Sequence, residues 1–427
     1  MKISVLLAAA IGLASSVYGQ VSHDPAQTLW FDAPAKNWEK NGLPIGNGSM
    51  GAVLLGAPGE SKLQFTVDSL WTGGANPSGG YKHLSKDGNP NVFGSFQNFG
   101  ELVFHQRICG KGTKFGKLDD YQRSLDISRS HFAEGWTANG VSFHNEAIAS
   151  FPQRVVAWKL AANKPGAICG ELVFNGAHPE DETVTAAQGE VRIEGKFDNG
   201  LLYSGRITVV NQGGKVVEKG NSLVLDGCDQ VLVLLALETN YVMDASKGWM
   251  EGNPSDLVEQ RVKKASSMSW DDLVAEHEAD YKTLYDRLSI DLGKSADTVR
   301  GLPLNQRIQR YRKDAKELPR PCLDPELEAL LFQYGRYLLI SCSRQGTLPA
   351  NLQGNWNNSN KPAWFADYHS NINIQMNYWL AETANLAELA TPFFDMFSAG
   401  IPVYEKFTKE KHGADTPGFV TRMSINP

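Results

Sequence analysis

From about Thr28 to Asn240 the chain reads as short β-rich runs punctuated by Gly, Asn and Asp, the pattern of consecutive strands separated by turns. Arg206–Val210 and Lys215–Glu218 flank Asn211-Gln212-Gly213-Gly214, which predicts a hairpin, and Ser222–Leu225 and Gln230–Leu237 extend it as a meander. A large antiparallel sandwich is the expected architecture of this half. No fixed-period repeat runs through it, which argues against a solenoid or propeller. Near Ser255 the period changes. Leu273, Tyr281, Leu284 and Leu288 fall at helical spacing behind Ser269, with Asp272 three residues on as in a capping box. Two helices are expected to bridge the halves. Arg300–Pro321 is polar and basic and reads as a linker, and Asp324-Pro325 then opens a helix as an N-cap followed by an N1 proline. Ala329–Ile340 is apolar almost all round, so burial on every side is predicted for that helix.

Length sharpens the division, because 427 residues exceed the roughly 250 to 300 that one hydrophobic core supports. The fold class expected is multidomain, β then α: a β-domain over 20–255, a helical linker over 256–321 and the start of an all-α domain over 322–427. Residues 1–19 stand apart. Lys2, the apolar run Ile3–Ala14 and the small residues around Val17-Tyr18-Gly19 read as a signal peptide, so a secreted or periplasmic location is expected. The apolar run falls short of the roughly 20 residues that span a bilayer, so membrane insertion is not expected. Hydrophobic residues at 42% and charged residues at 21% are ordinary for a globular protein. A net charge of −6 gives no cationic footprint, which argues against nucleic acid as a partner. The five cysteines are scattered singly, an odd count that leaves at least one free thiol, and Cys342 reads as a small buried hydrophobe. The nine histidines are dispersed without metal-ligand spacing, and no phosphate-binding loop, dinucleotide fingerprint or nucleophile elbow occurs. Neither a metal nor a cofactor is expected.

Chemistry concentrates in one place. Leu348-Pro-Ala-Asn-Leu-Gln-Gly-Asn-Trp-Asn357 is followed by Trp364, by Asp367-Tyr-His369 and by Asn371-Ile-Asn-Ile-Gln-Met-Asn-Tyr-Trp379. Amides, a histidine and aromatic rings suit a sugar, whose hydroxyls take directional donors and acceptors and whose C–H faces lie on rings. The same mixture can tie together the loops of a helical domain, and composition does not choose between the two. Spacing adds a constraint, since residues two apart share one side of an extended chain and diverge on a helix. If His369, Asn371 and Asn373 meet one ligand, that stretch leads into a helix starting near Asn373, with Met376, Trp379, Leu380 and Thr383 facing inward. Asn371 or Asn373 as a plain N-cap is the competing reading.

These motifs resemble the catalytic-domain signature of glycoside hydrolase family 95, the α-L-fucosidase family. Leu43-Pro-Ile-Gly-Asn-Gly48 with Gly51-Ala52, and Asp68-Ser-Leu-Trp-Thr-Gly-Gly74, are similar to that family's β-domain motif, and Asp324–Arg344 to the helix that opens its barrel. The resemblance implies a β-super-sandwich, a helical linker and an (α/α)6 barrel that releases terminal α-L-fucose from oligosaccharides or glycans, or α-L-galactose in some members, with inversion. Inversion normally sets an acid and a base roughly 6.5 to 9.5 Å apart across the sugar. By motif position, Asn373 matches the amide that activates the water, Asn371 its supporting partner and His369 a sugar-contacting histidine. An amide needs a carboxylate behind it to serve as a base. That carboxylate and the acid glutamate have no counterpart before Pro427, so the chain reads as a fragment holding only the opening helices of the barrel.

Trp356 and Trp364 are further candidates for the sugar, and Asp68, Trp71 and Asn47 candidates to reach the site from the β-domain, against ordinary roles as core ring and turn former. Asp367, Glu382 and Asp395 are carboxylates that could pose as an acid and base pair or simply decorate helices. Asn47-Gly-Ser49 and Asn357-Asn-Ser359 are formal glycosylation sequons. A carbohydrate-binding protein without catalysis, and a β-domain used only for assembly or attachment, are the alternatives carried forward.

Overall fold

A computed structural model describes residues 23–74, 93–111, 115–317 and 324–427. The expected signal peptide, Cys322 and the end of the expected linker lie outside the described residues. Strands fill the region from Thr28 to Thr239 and form two antiparallel sheets. The nine-stranded sheet runs, edge to edge, Thr28–Phe31, Asp119–Asp126, His131–Ala138, Val141–Ser150, Val155–Ala162, Gln230–Thr239, Leu202–Gln212, Glu190–Lys196 and Glu182–Ala187. The seven-stranded sheet runs Lys215–Lys219, Ser222–Cys228, Ile168–Gly176, Gly100–Arg107, Ser61–Val67, Met50–Leu55 and Leu43–Gly46. Their facing sides make the main core, with Phe65, Phe99, Phe104, Trp158 and Leu235 almost wholly buried.

The strand Gln230–Thr239 explains how the sandwich is covered. Its run of consecutive apolar residues is that of a strand buried on both faces. Val231, Val233, Leu235 and Leu237 enter the inter-sheet core, while Leu232, Leu234 and Ala236 form a second core with Val258, Val262, Ala265, Trp270 and Leu273. Those partners belong to the helices Pro254–Ser266 and Trp270–Tyr285, which lie on the outer face of the nine-stranded sheet. The cap behind the second helix is as expected: Ser269 Oγ accepts from the Asp272 amide at 3.1 Å.

Of the hairpin and meander expected around residues 206–237, the turn between Lys215–Lys219 and Ser222–Cys228 forms, but the hairpin across Asn211–Gly214 does not. Leu202–Gln212 belongs to the nine-stranded sheet and Lys215–Lys219 to the seven-stranded sheet, where it pairs instead with Ser222–Cys228. The chain crosses between sheets at Gly213-Gly214 and returns at Asp229. Both glycines are left-handed, at φ 63° and 56°, and a Cβ on Gly214 would run into the Gly227 backbone. Only glycine fits that crossing.

Within Arg300–Pro321, expected as part of a helical linker, the chain forms the helix Leu304–Glu317. Its anchor is a charge: Arg307, 1% exposed, donates to both Asp324 oxygens at 2.9 and 2.6 Å. Asp324 also caps the helix Pro325–Cys342 by accepting from the Leu327 amide at 3.0 Å. One carboxylate thus ties the two helices together. On Pro325–Cys342 one face is buried, not all of them. Leu330, Tyr337 and Ile340 pack inward, while Leu331 is 71% and Phe332 40% exposed, because no described element lies against that side. Arg336, fully buried, donates to the carbonyls of Leu284, Tyr285 and Leu288, so a guanidinium closes the carboxyl end of the helix Trp270–Tyr285.

The helical segment is seated on the seven-stranded sheet through glycines. The Gly48 amide donates to the Ser341 carbonyl at 2.8 Å, Tyr337 Oη to the Pro44 carbonyl at 2.6 Å, and Asn355 Nδ2 to the Gly48 carbonyl. A Cβ at Gly46 would overlap Ser341, and one at Gly51 would overlap Asn355. The Gly-rich β-domain motif is therefore the seat for the start of the helical domain.

Candidate active site

Residues Leu348–Asn360 run from that seat across the sheet edge, held by bonds of the type their amides invite. Gln64 Nε2 donates to the Asn357 carbonyl at 2.6 Å, Asn357 Nδ2 to the Phe96 carbonyl at 2.9 Å, and Trp356 Nε1 to the Ile45 carbonyl at 2.9 Å. Asn47 donates to the Ser150 carbonyl and accepts from the Met50 amide, as a turn former does. Both sequon asparagines, Asn47 and Asn357, are at most 1% exposed, so a folded chain offers neither to a glycosyltransferase.

Asp68 sits deeper. It is buried, accepts from the Leu348 amide at 2.8 Å, and is pushed up to about 8 by burial, which the Leu348 bond and nearby Arg154 only partly offset. Trp71 donates its indole N–H to the Asp68 carbonyl at 2.8 Å and stacks on Tyr368 at 5.5 Å. The β-domain candidates therefore underlie the loop and fix where Tyr368, and hence His369, stands.

Beyond the loop comes an unusual turn. Trp364, Phe365 and Ala366 are all left-handed, at φ 51°, 59° and 53°. Each residue there costs about 1–2 kcal/mol for an L-amino acid, and such residues gather where a side chain must be aimed. The turn is pinned by the Phe96 amide, which donates to the Phe365 carbonyl at 3.0 Å, and by Phe93 against the Phe365 ring. It leaves Trp364 57% exposed and tilted over the His369 ring at 5.0 Å. His369 is buried in the short strand Tyr368–His369, which pairs with Ser424–Ile425. Its Nδ1 lies 3.1 Å from Asp367 Oδ2 and 3.4 Å from Ser424 Oγ. Asp367 thus emerges as the partner of the histidine, a role that weighing it as a helix-surface carboxylate could not show.

The chain then turns into the helix Asn373–Asn377, beginning where the sequence places it. Asn371 is exposed and Asn373 half-buried, and neither side chain caps the helix. The inward face differs from expectation. Met376, Trp379 and Thr383 are exposed and Leu380 half-buried, while Ile374, Tyr378 and Ala381 are buried. The cause is a break at Tyr378, at φ −106° and ψ 3°, which divides the helix from Trp379–Thr383. Tyr378 Oη lies 2.8 Å from Ser343 Oγ and accepts from the Ala350 amide at 2.8 Å, which turns the 374/378/381 face inward.

The structure accordingly brings Trp364 and Asp367 onto His369, with Asn371 and Asn373 next along the chain; Trp71 packs on the neighbouring Tyr368, Asp68 holds Leu348, and Trp356 and Asn47 lie in the seat between the sheet and the loop. A cavity of about 500 Å³ lies elsewhere, between Trp38, Tyr334, Leu338, Met376 and Leu380, and of the candidate residues only Trp356 lines it. Among the described residues no His, Cys, Asp or Glu group could hold a metal ion, and no helix is long and apolar enough to cross a membrane. A disulfide that spacing did not reveal joins Cys109 to Cys169, while Cys228 and Cys342 are free and buried.

Comparison with known proteins agrees with this layout. The family profile described as glycosyl hydrolase family 95 catalytic domain matches residues 269–427, and that described as glycosyl hydrolase family 65, N-terminal domain matches residues 29–92 and 79–244. The chain is 29% identical to Probable alpha-fucosidase A of Aspergillus niger over 94% of its own length and 54% of that protein's. It is 30% identical to Alpha-L-fucosidase 2 of Arabidopsis thaliana over 87% of its length and 48% of that protein's. It therefore spans about half the length of the curated relatives it matches. A solved structure assigned as a kojibiose phosphorylase from the human microbiome shares its fold, with TM-score 0.55 at 9% identity, over 91% of this chain and 50% of that one. The chain thus joins a β-sandwich that matches the glycosyl hydrolase family 65 N-terminal domain to a segment that matches the glycosyl hydrolase family 95 catalytic domain.

Proposed function

We propose that this chain forms the β-domain and the water-side wall of a hydrolase that releases terminal α-L-fucose from oligosaccharides or glycans with inversion. The observation that carries the reading is the exposed Trp364 ring over His369, with Asn371 and Asn373 following directly along the chain at the start of a helix, a ring and polar groups of the kinds a sugar takes. The names of the Aspergillus and Arabidopsis relatives support fucose as the sugar. In this reading Asn373 orients and activates the water, Asn371 supports it, and His369 contacts a hydroxyl beneath the exposed Trp364 ring. Asp68, Trp71, Trp356 and Asn47 serve the site from below, by holding the loop and Tyr368 in place. The amides act only together with an acid and a carboxylate partner that these 427 residues do not match by motif.

Export belongs to the same proposal, and the Cys109–Cys169 bond supports it, since disulfides persist in oxidising compartments. The test is turnover of an aryl α-L-fucoside by a form spanning the full length of the relatives, with Asn373→Gly as the variant. Turnover is expected to fall severely while the fold is kept; unchanged turnover would remove Asn373 from the mechanism. Proton NMR of the first-released sugar reads the anomer, and a retained configuration would refute inversion. An aryl α-L-galactoside, run alongside, decides between the two sugars, which differ at one exocyclic hydroxyl.

A further inference from the structure

We propose that Gln375 is a positioning residue, whose side chain closes the turn that carries Asn371 and Asn373 and so holds both amides ready for the sugar. The inference rests on the reading of Trp364 to Asn373 as a sugar site and deepens it, by naming what aims the two asparagines.

The turn has fixed ends. On the strand side, the Ser370 amide donates to the Met423 carbonyl at 2.7 Å and Ser370 Oγ to the Arg422 carbonyl. On the helix side, Asn377 Nδ2 donates to the carbonyls of Ala350 and Asn351 at 3.1 and 3.0 Å, and the buried Ile374 and Tyr378 root the same segment in the core. Asn371 and Asn373 lie between these ends and do not hold the turn themselves, since no side chain caps the helix that starts at Asn373. Gln375 does: its Nε2 donates to the Ser370 carbonyl at 2.8 Å. A glutamine at the third helical position reaches back to the helix start in a capping box. Here the N-cap residue is Ile372, whose side chain has nothing to offer in return, and the glutamine reaches two residues further, to Ser370. One bond thereby closes residues 370–375 into a ring with both asparagines inside it.

Packing does not do this work, because Asn371 is exposed and Asn373 half-buried. A stretch tied at both ends and across its neck has lost its freedom before a ligand arrives, so a sugar that bonds the two amides does not have to order them. Gln375 Oε1 is buried and bonds no described residue, so the side chain is one tie and not a link in a wider network. Methionine, of similar length and shape, would remove that tie and leave only the Ser370 carbonyl without its donor.

The experiment is ¹⁵N relaxation on the deuterated, ¹⁵N-labelled chain, as wild type and Gln375→Met, with Gln375→Glu as a second variant of like shape that carries no donor when ionised. Backbone order parameters at Asn371, Ile372 and Asn373 are expected at about 0.85 in the wild type and below about 0.6 in both variants, with Ser370 and Asn377 unchanged. Wild-type values below about 0.6 there overturn the proposal with no variant needed. Equal values in the wild type and either folded variant overturn it too, as does a loss of order spread over the whole helical segment, which a merely structural bond would give. L-Fucose titrated into the same samples should bind Gln375→Met about tenfold more weakly than wild type, because the sugar must then order two asparagines itself. Equal affinity in the two, with the local order lost, overturns the claim that the order serves the sugar. If the order parameters are as stated but the wild type does not bind L-fucose, the positioning stands and the sugar reading falls.

Discussion

The sandwich and the helical segment treat their apolar residues in opposite ways. Between Thr28 and Thr239 the exposed large hydrophobics among the described residues are Val210 and Val217 alone. From Leu331 onward they include Leu331, Phe332, Met376, Trp379, Phe394 and Val403. In the first region the central strands of the nine-stranded sheet find cover twice, from the facing sheet and from the helices Pro254–Ser266 and Trp270–Tyr285. In the second, helices are buried against the β-domain on one side and bare on the other. The difference teaches that the β-domain is a complete platform, while the helical segment takes its order from being seated on it.

That contrast can be broken where the seat is most constrained. Replacing Asp324 by Ala leaves Arg307 buried and unpaired and removes a helix cap, and is expected to destabilise by about 3–5 kcal/mol, read from urea unfolding. Hydrogen exchange should rise first in Leu304–Glu317 and Pro325–Cys342, and a uniform rise across the sandwich instead would contradict the division. Next comes Gly51→Ala, whose methyl collides with the Asn355 backbone; about 1–3 kcal/mol is expected, with loss of order in Leu348–Asn360 while the sheets persist.

A separate effect should follow pH through Asp68. Its carboxyl is raised in the folded state to about 8, so the folded chain holds a proton that the unfolded chain releases near 4. Stability contributed in this way is present at low pH and declines as pH rises from about 4 to 8. Glu134 and Glu182, both raised to about 7 by burial, act in the same direction. Asp68→Asn, which can still accept from the Leu348 amide, should flatten the decline in melting temperature across that range. An unaltered slope would show that Asp68 does not titrate there. The smallest effect on stability belongs to the bare side: Leu331→Glu with Trp379→Glu should change unfolding by less than about 0.5 kcal/mol. Light scattering should nonetheless show less self-association at high concentration, and equal scattering would remove the bare side as a contact surface.

How much of this was legible in the sequence depended on the range of the interaction. Local signals read through: Ser269 and Asp324 cap as their spacing says, and the helix at Asn373 starts in place. Turn chemistry at Asn211–Gly214 announced a tight reversal, but nothing local states which sheet the next strand joins, and the sandwich took it to the other one. How Leu304–Glu317 is anchored was hidden, because its anchor is the buried Arg307, which reads as solvent-facing until Asp324 is seen beside it. The Cys109–Cys169 pairing spans 60 residues, and connectivity at that range is not written in spacing. At the candidate site the amides and rings were visible as a motif, whereas the left-handed turn at Trp364–Ala366 and the Asp367–His369 contact needed three dimensions.

The most direct measurement is the melting temperature of this chain as L-fucose is added, with Asn371→Ala and His369→Gln alongside. A ligand that binds only the folded form raises stability as RT ln(1 + [L]/Kd), so the account predicts a rise that grows with L-fucose, is larger than with D-glucose and is lost in both variants. No rise at any L-fucose concentration, or an equal rise in wild type and variants, would contradict the claim that the path from Trp364 to Asn373 is where the sugar binds.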